Sequence, residues 1–357
     1  MYASILSATT AGIHSNFIYV EVDISTGLPG IELVGLLSGE VREAKERVKV
    51  ALKNAGINIP PMKITINLSP GNVRKEGTAF DLPIAAGLMS ALGIIQEDMT
   101  KGCLFLGELG LNGEIKSVNG VLPIVIAAVE SNVVHTVIVP RDNEAEASVI
   151  KGVKIVGIND VSALIEYFCG RDEQEQIDNE NVTLEEVCKY GEIHEKYISE
   201  EQLIKIKPSD LHEVDFADIH GQAMVKRAAE VAAAGFHHML LVGPPGSGKT
   251  MIAKRIPTIM PPLSMDESIE VSKIYSVAGL LTRERPLITT RPFLNPHHTI
   301  TMTALAGGGR VPKPGIISLS HRGVLFLDEL PEFRRGTIEI MRQPLEDRVV
   351  HIARNGG

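Results

Sequence analysis

The chain has no tryptophan, and aromatic residues make up only 4% of its 357 residues. Single-stranded nucleic acids stack their bases on aromatic side chains, so this composition argues against that class of binding platform.

Cysteine is also scarce. Cys103, Cys169 and Cys188 lie far apart, with no C-x-x-C pair and no histidine at ligand spacing. We therefore expect reduced thiols in a reducing compartment.

Long apolar runs are missing as well. The best run, Val121 to Val129, contains Pro123 and is shorter than the ~20 residues that a membrane-spanning helix needs. The N-terminus has no basic region ahead of its apolar residues, so it does not resemble a secretory signal. We expect a cytoplasmic protein with no membrane partner. The length is large for one hydrophobic core and predicts two domains.

The formal net charge of −9 argues against a broadly basic surface, but the charge is unevenly distributed. Acidic residues crowd 171–201, which predicts a linker, and a Thr-x-x-Glu pattern predicts a short helix at Thr183 to Tyr190 within it. From Arg285 to Leu327 there is no acidic residue. This acid-free segment is the best candidate for contact with a polyanion; alternatively, its basic residues face a neighbouring subunit or bound nucleotide. Those residues are Arg285, Arg291, Arg310, Lys313 and Arg322.

A Gly-rich loop with the pattern G-x-x-x-x-G-K-[ST] follows an apolar stretch, Met239 to Val242, that predicts a strand, and it opens a predicted helix. Backbone N–H groups and the helix N-terminus can hold the β-phosphate of a nucleoside triphosphate there. Lys249 can then reach the β and γ oxygens, and the Thr250 hydroxyl can hold Mg²⁺. The loop consists of Gly243, Pro244, Pro245, Gly246, Ser247, Gly248, Lys249 and Thr250.

An acidic pair follows a second apolar stretch, Gly323 to Leu327. A continuous apolar strand is typical of the interior of a parallel sheet, whose C-terminal edge is where α/β proteins bind ligands. Asp328 would bind Mg²⁺, directly or through water, and Glu329 would orient or deprotonate the attacking water. Alone, such a pair is typical of a solvated strand end. Downstream of a phosphate loop, the functional interpretation is favoured.

Strand and helix patterns alternate in the first half of the chain. They predict a compact α/β domain at residues 1–170, a linker at 171–209 and a second domain at 210–357. Predicted strands lie at 17–24, 63–68, 103–108, 136–139 and 153–156, and predicted helices at 41–55, 81–92, 121–131 and 161–168.

Four segments carry a resemblance to a known family: Gly221 to Gly235, Asn295 to Thr301, Ala306 to Arg310, and Val324 to Phe333. In this order they resemble the Mg-chelatase-like AAA+ ATPases of the YifB/ComM type, over essentially the whole chain. The resemblance implies an ATP-hydrolysing P-loop AAA+ αβα domain that forms a homo-oligomeric ring, a hexamer, behind an α/β domain similar to the Lon protease domain. It also implies DNA as a partner, because ComM members are regarded as branch-migration motors in natural transformation.

The resemblance to Lon fails at the residues of the peptidase chemistry. The segment Lys75 to Asp81 leaves Ala79 where Lon-type peptidases have their nucleophilic serine. The segment Gly107 to Leu122 leaves Leu122 where they have the lysine base. A Ser-Lys dyad needs a hydroxyl and an amine within hydrogen-bond reach, and these side chains have neither. We expect a binding or scaffolding module and no peptidase.

Two further motifs lie between the loop and the acidic pair. His297 and His298 invite a metal site, but neighbouring side chains on a strand diverge and no Cys or carboxylate is near in sequence. Ordering of a loop, or hydrogen bonding beside the nucleotide, is therefore preferred. The glycines of 306–310 predict a hairpin tip. Arg310 and Lys313 there suit contact with a phosphate backbone in the pore of a ring, and a simply flexible tip is the alternative.

The resemblance also implies a sensor strand, an arginine finger and a helical lid, which we expect beyond Gly357, so that the AAA+ domain is incomplete. Two other functions stay open. One is an ATPase subunit that drives a separate metal-chelatase catalytic protein. The other is a remodelling or regulatory ATPase whose residues 1–170 bind protein clients. The acid-free segment favours DNA over both.

Overall fold

The computed structural model of the chain describes residues 1–169, 214–309 and 312–350. The chain divides into two compact units. One comprises Met1–Ile204 with Gly279–Pro286, and the other Lys205–Ala278 with Leu287–Gly357. Both contain helices and strands, which confirms the α/β class. The predicted linker and its helix lie outside the described residues, so the three domain boundaries stay a prediction.

A seven-stranded mixed sheet is the centre of the first unit. Its strands, in chain order, are β1 (Tyr2–Ala11), β2 (His14–Ser25), β3 (Gly30–Val34), β4 (Lys63–Ser69), β5 (Cys103–Phe105), β8 (Thr136–Pro140) and β9 (Lys154–Ile158). A separate antiparallel ribbon consists of β6 (Glu108–Leu109) and β7 (Ile115–Lys116). The order across the sheet is β3-β4-β2-β1-β5-β8-β9. β2 is antiparallel to both β1 and β4, and the other pairs are parallel.

The helices of this unit include the four that the apolar spacing predicts, at 41–55, 81–92, 121–131 and 161–168. They are α1 (Gly39–Asn54), α2 (Asp81–Ala91), α3 (Glu97–Thr100), α4 (Val121–Ser131), α5 (Glu144–Ala147) and α6 (Val161–Cys169). A 3₁₀ turn spans Arg141–Asn143. α1 buries a single apolar stripe, as a surface helix does, whereas every residue of α2 is buried, which explains its mostly apolar sequence. Among the described residues, no helix is long and apolar enough to cross a bilayer.

A buried ion pair joins α1 to the start of α2. The Arg47 guanidinium donates two hydrogen bonds to the Asp81 carboxylate, at 2.7 and 2.9 Å, and the Leu109 amide donates a third at 3.2 Å. The Asp81 side chain is 0% exposed. Burial raises the pKa of Asp81 above its usual value, and Arg47 opposes that rise. Without Arg47, a carboxylate would remain buried with no counter-charge.

The second unit contains less regular structure. Its helices are α7 (Ala223–Gly235), α8 (Lys249–Arg255), α9 (Met265–Ala278), α10 (Met302–Ala306), α11 (Ile316–Leu319), α12 (Arg335–Glu339) and α13 (Arg342–Asp347). Its strands are β10 (Phe293–Leu294), β11 (Gly307–Gly308), β12 (Lys313–Pro314) and β13 (Val324–Leu325). Further 3₁₀ turns span Phe216–Asp218, Ile256–Ile259 and Leu330–Glu332. β10 and β13 pair in parallel, and β11 and β12 form an antiparallel hairpin.

Two strand predictions differ from this structure. The stretch 239–242 belongs to no described strand, and Leu240 and Val242 are 74% and 87% exposed. The predicted buried strand before the acidic pair is reduced to the two residues of β13, which are only half-buried. An apolar run becomes a strand only where a neighbouring backbone pairs with it. Within the described residues, 239–242 has no such partner and β13 pairs only with β10.

Gly323, just before β13, allows a close approach of two backbones. A Cβ atom at this position would lie 2.1 Å from the carbonyl oxygen of Pro292. Pro292 precedes β10, and its carbonyl accepts a hydrogen bond of 2.7 Å from the Val324 amide. The absence of a side chain therefore sets the start of the β10–β13 pairing.

We expect Arg47→Met to lower the free energy of unfolding by about 3 kcal/mol at neutral pH, because it strands the buried Asp81 carboxylate. A group whose folded pKa is raised stabilises the fold below its unfolded pKa and loses this contribution as the pH rises through the folded value. Removing Arg47 raises the folded pKa of Asp81 further, so the penalty is larger at pH 8 than at pH 4.5.

Hydrogen exchange of the α2 amides measures this loss locally. Arg141→Met is the matched control, because its ion pair with Glu144 is partly exposed (47% and 30%). An exposed pair contributes at most about 1 kcal/mol. A penalty for Arg47→Met that equals the control, or that grows as the pH falls, contradicts the expectation.

Candidate nucleotide-binding site

The Gly-rich loop turns directly into α8. Gly246 and Gly248 have φ angles of 77° and 84°, in the left-handed region that residues with a Cβ avoid. Gly248 caps the helix, and Lys249 and Thr250 are its first two residues. The loop, the lysine and the hydroxyl thus follow one another in the order that the sequence pattern predicts.

The Lys249 ammonium lies over the loop. Its Nζ donates hydrogen bonds to the carbonyl oxygens of Gly243, at 2.9 Å, and Pro244, at 3.0 Å. A further contact was not predicted: Gln222, which precedes α7, donates from Nε2 to the Ser247 carbonyl at 3.1 Å. The only sequence signal for it is its place in the segment of 221–235 that carries the family resemblance. Both contacts hold the backbone of the loop in place.

Thr250 and Asp328 bring the loop and the acidic pair together. The Thr250 hydroxyl donates to Asp328 Oδ2 at 2.8 Å, across 78 positions of sequence. The other carboxylate oxygen of Asp328 accepts the Glu329 amide at 3.0 Å. Hydroxyl and carboxylate oxygens are the ligands that Mg²⁺ prefers, so these two side chains could hold it.

Glu329 occupies an exposed turn after Asp328. Its φ of 53° lies in the left-handed region, which is uncommon for a residue with a side chain. The side chain is 68% exposed, and its Oε2 lies 3.6 Å from Nδ1 of His298. The Glu329 carboxylate therefore follows Asp328 directly in sequence and is exposed to solvent.

The two adjacent histidines differ from expectation. They lie in a turn after β10, not on a strand, and their rings lie close together, tilted by 35° with centroids 4.0 Å apart, instead of diverging. In the three described ranges, no group of three or more His, Cys, Asp or Glu side chains is placed to hold a metal ion. The contact with Glu329 is the feature of this motif that the sequence did not indicate.

Helix α9 supplies counter-charges to two arginines of the acid-free segment. Arg291 is 6% exposed and donates to Glu267 Oε2 at 3.1 Å and to the carbonyl of Arg322 at 2.7 Å. Arg322 forms ion pairs with Glu267 at 3.3 Å and Glu270 at 3.0 Å. Arg291 is therefore buried, and Arg322, whose side chain is 41% exposed, already has counter-charges from α9 that a local count of charges does not include. Contact of the segment with a polyanion stays a prediction.

Lys313 is exposed on β12, at the hairpin that the glycines predict. Arg310, its predicted companion, lies outside the described residues. The structure therefore places only one member of the pair proposed to contact DNA.

The two positions of the absent dyad lie in structured parts of the first unit. The half-buried Ala79 accepts the Gly107 amide at its carbonyl, at 3.1 Å. The Leu122 side chain is 0% exposed, and its amide donates to Glu146 at 3.0 Å. Neither side chain supplies a nucleophile or a base.

Comparison with known proteins gives two family matches. "Magnesium chelatase, subunit ChlI" matches residues 215–357, and "Subunit ChlI of Mg-chelatase" matches residues 20–143. The chain is 38% identical over 347 residues to the uncharacterized protein YifB of Escherichia coli, covering 96% of this chain and 62% of that protein. It is 39% identical over 357 residues to the competence protein ComM of Haemophilus influenzae, covering 99% and 65%. The chain belongs to the YifB/ComM family.

Two other relatives show how far the similarity extends. An uncharacterized protein of Mycobacterium tuberculosis, Rv2897c, is 39% identical over 353 residues, covering 98% of this chain and 65% of that protein. The chain thus spans less than two thirds of the length of these relatives. Lon protease 2 of Bacillus subtilis is 30% identical over 139 residues, which is 37% of this chain and 25% of that protein. The likeness to Lon is therefore partial.

We expect the purified protein to cleave neither casein nor short peptides, because Ala79 and Leu122 cannot form a Ser-Lys dyad. A fluorogenic peptide assay checks this, with an active Lon-type peptidase as the positive control. Cleavage that survives a further purification step and is abolished by Thr78→Ala would show that another hydroxyl of this segment acts as the nucleophile.

Proposed function

We propose that this chain provides the nucleotide-binding machinery of an ATP-hydrolysing motor of the YifB/ComM type. The hydrogen bond of 2.8 Å from Thr250 to Asp328 carries the proposal, because it joins the phosphate-loop pattern to the acidic pair. If the loop were only a Gly/Pro turn and the acidic pair only a solvated strand end, this contact between them would not be expected. The Mg-chelatase-like family supports the same class of activity.

The loop would bind the phosphates of ATP. Backbone N–H groups of 243–248 would hold the β-phosphate, and Lys249 would exchange its two loop carbonyls for the β and γ oxygens. Thr250 and Asp328 would hold Mg²⁺, which would neutralise charge that develops on the transferred phosphoryl group. These residues bind and orient, and they perform no covalent chemistry.

Glu329 would act on the attacking water. Its carboxylate is exposed and follows the Mg²⁺-binding residue directly, so it can reach a water next to the γ-phosphate and accept or orient its proton. Asp328 holds the Glu329 amide, and this contact limits the movement of the turn. The two carboxylates would thus have separate roles, binding for Asp328 and water activation for Glu329.

DNA is the favoured substrate, with a hexameric ring as the active form. The support is the competence-protein name of the Haemophilus relative and the exposed Lys313 on the glycine hairpin. The pairing of Arg291 and Arg322 with α9 removes part of the electrostatic argument for DNA.

The chelatase-subunit description of both matching family models favours a second candidate, an ATPase that drives a separate chelatase protein.

We expect Lys249→Ala to abolish measurable ATP binding, and Glu329→Gln to keep binding but lose hydrolysis. Calorimetric titration and phosphate release measure the two effects. Lys254→Ala, which removes an exposed lysine of the same helix, is the matched control and should behave like the wild type. Wild-type affinity of Lys249→Ala, or loss of binding in Glu329→Gln, contradicts the assigned roles.

We expect DNA binding to depend on nucleotide and salt and to tolerate any sequence, because the candidate contacts are a lysine and an arginine without a base-reading helix. The double variant Arg310→Ala/Lys313→Ala should weaken binding and flatten the plot of log affinity against log salt. The slope falls by roughly 0.7 to 0.9 for each phosphate that the variant no longer neutralises.

Arg335→Ala/Arg342→Ala is the matched control for this experiment. It removes two positive charges from exposed helices of the same unit, where each arginine pairs with a glutamate one turn away. Equal losses in both double variants would indicate a non-specific effect of charge, and no loss in either would favour the chelatase-type function.

A further inference from the structure

The carboxylate proposed to activate water has little to hold it in place. The Glu329 side chain is 68% exposed, and its backbone adopts the left-handed conformation. Residues with a side chain hold this conformation when the surrounding structure imposes it. Catalytic geometry must be held closely, so a base on an exposed turn requires support from a neighbouring residue.

His298 is the neighbour that the structure places beside it. Its Nδ1 lies 3.6 Å from Glu329 Oε2, close enough that a small rotation of either side chain completes a hydrogen bond. A neutral imidazole with its proton on Nδ1 can donate this bond, and so can an imidazolium.

The ring of His298 is itself restrained from two sides. The His297 ring lies against it, tilted by 35° with centroids 4.0 Å apart, and Phe333 meets it edge-on at 6.4 Å. Phe333 is 5% exposed, and His297 is held by a contact of 2.9 Å between its Nδ1 and the Thr299 hydroxyl. The restrained side chain in this contact is therefore the histidine, and the glutamate is the one that gains order.

We propose that His298 is a positioning residue that orients the Glu329 carboxylate for hydrolysis. The inference rests on the proposed function, because it assigns Glu329 to the attacking water. His298 would contact neither the phosphates nor Mg²⁺. Its loss should lower the turnover number and leave nucleotide affinity unchanged.

The test compares His298→Ala and His298→Gln with the wild type. We expect His298→Ala to lower kcat for ATP about tenfold or more, with KM and the Kd for ATP unchanged, because a misplaced base slows the chemical step. Glutamine keeps a donor of similar reach, so His298→Gln should restore much of the loss. His321→Ala is the matched control, because His321 also contacts a glutamate, Glu270 at 3.3 Å, away from the loop.

A double-mutant cycle with Glu329→Gln separates a role through Glu329 from a general disturbance. The slow residual hydrolysis of Glu329→Gln, followed in single turnovers over long times, should be the same with and without His298→Ala. An equal loss in both backgrounds, a raised Kd, or no rescue by glutamine overturns the positioning role alone. Wild-type hydrolysis by Glu329→Gln overturns the proposed role of Glu329 and this inference with it.

Discussion

One guanidinium holds together the segments that position the acidic pair. Arg291 donates to the carbonyls of Pro261, Pro262 and Arg322 and to the carboxylate of Glu267, and it stacks on Phe236 at 5.1 Å. Arginine has five donors in a planar fork, so it can satisfy several acceptors at once. The β10–β13 pairing is only two residues long, so these bonds supply order that a longer ladder would otherwise give. Its bond to the Arg322 carbonyl fixes the backbone just before β13, which leads to Asp328 and Glu329.

The first unit contains a hydrogen-bond network of its own. The segment around Ala79 is joined to the segment around Gly107 through backbone bonds to Ala79 and Leu82, and through side-chain bonds of Thr78 and Asp81. Arg47 completes this network from α1. These polar groups are thus hydrogen-bonded within the unit. Neither Ala79 nor Leu122 adds a polar side chain to this network.

Sequence reasoning succeeded where local pattern determines structure. The helices α2 and α4 and the strands β4 and β8 lie within two residues of their predicted bounds, because their apolar residues recur at one clear period. It missed β1, whose buried residues include small and hydroxyl residues such as Ser7, Ala8 and Thr9. It was wrong at 239–242, because a strand also needs a paired neighbour that no local window contains.

The candidate site shows the same division. The phosphate-loop motif and the acidic pair were visible as patterns, and the geometry joins them through Thr250 and Asp328. The contacts of Gln222, His298 and Arg291 depend on residues far apart in the chain, and no periodicity encodes them. The counter-charges of Arg291 and Arg322 were missed for the same reason, since they belong to α9.

The bare backbone at Gly323 also limits how this protein can vary. Even the methyl group of alanine would meet the Pro292 carbonyl at 2.1 Å, so a substitution must displace either β10 or the residues that lead to Asp328. Gly323 has no side chain, yet a shift there would move the two carboxylates of Asp328 and Glu329 together. The close approach of two backbones thus restricts which residues can occupy a position outside the candidate site.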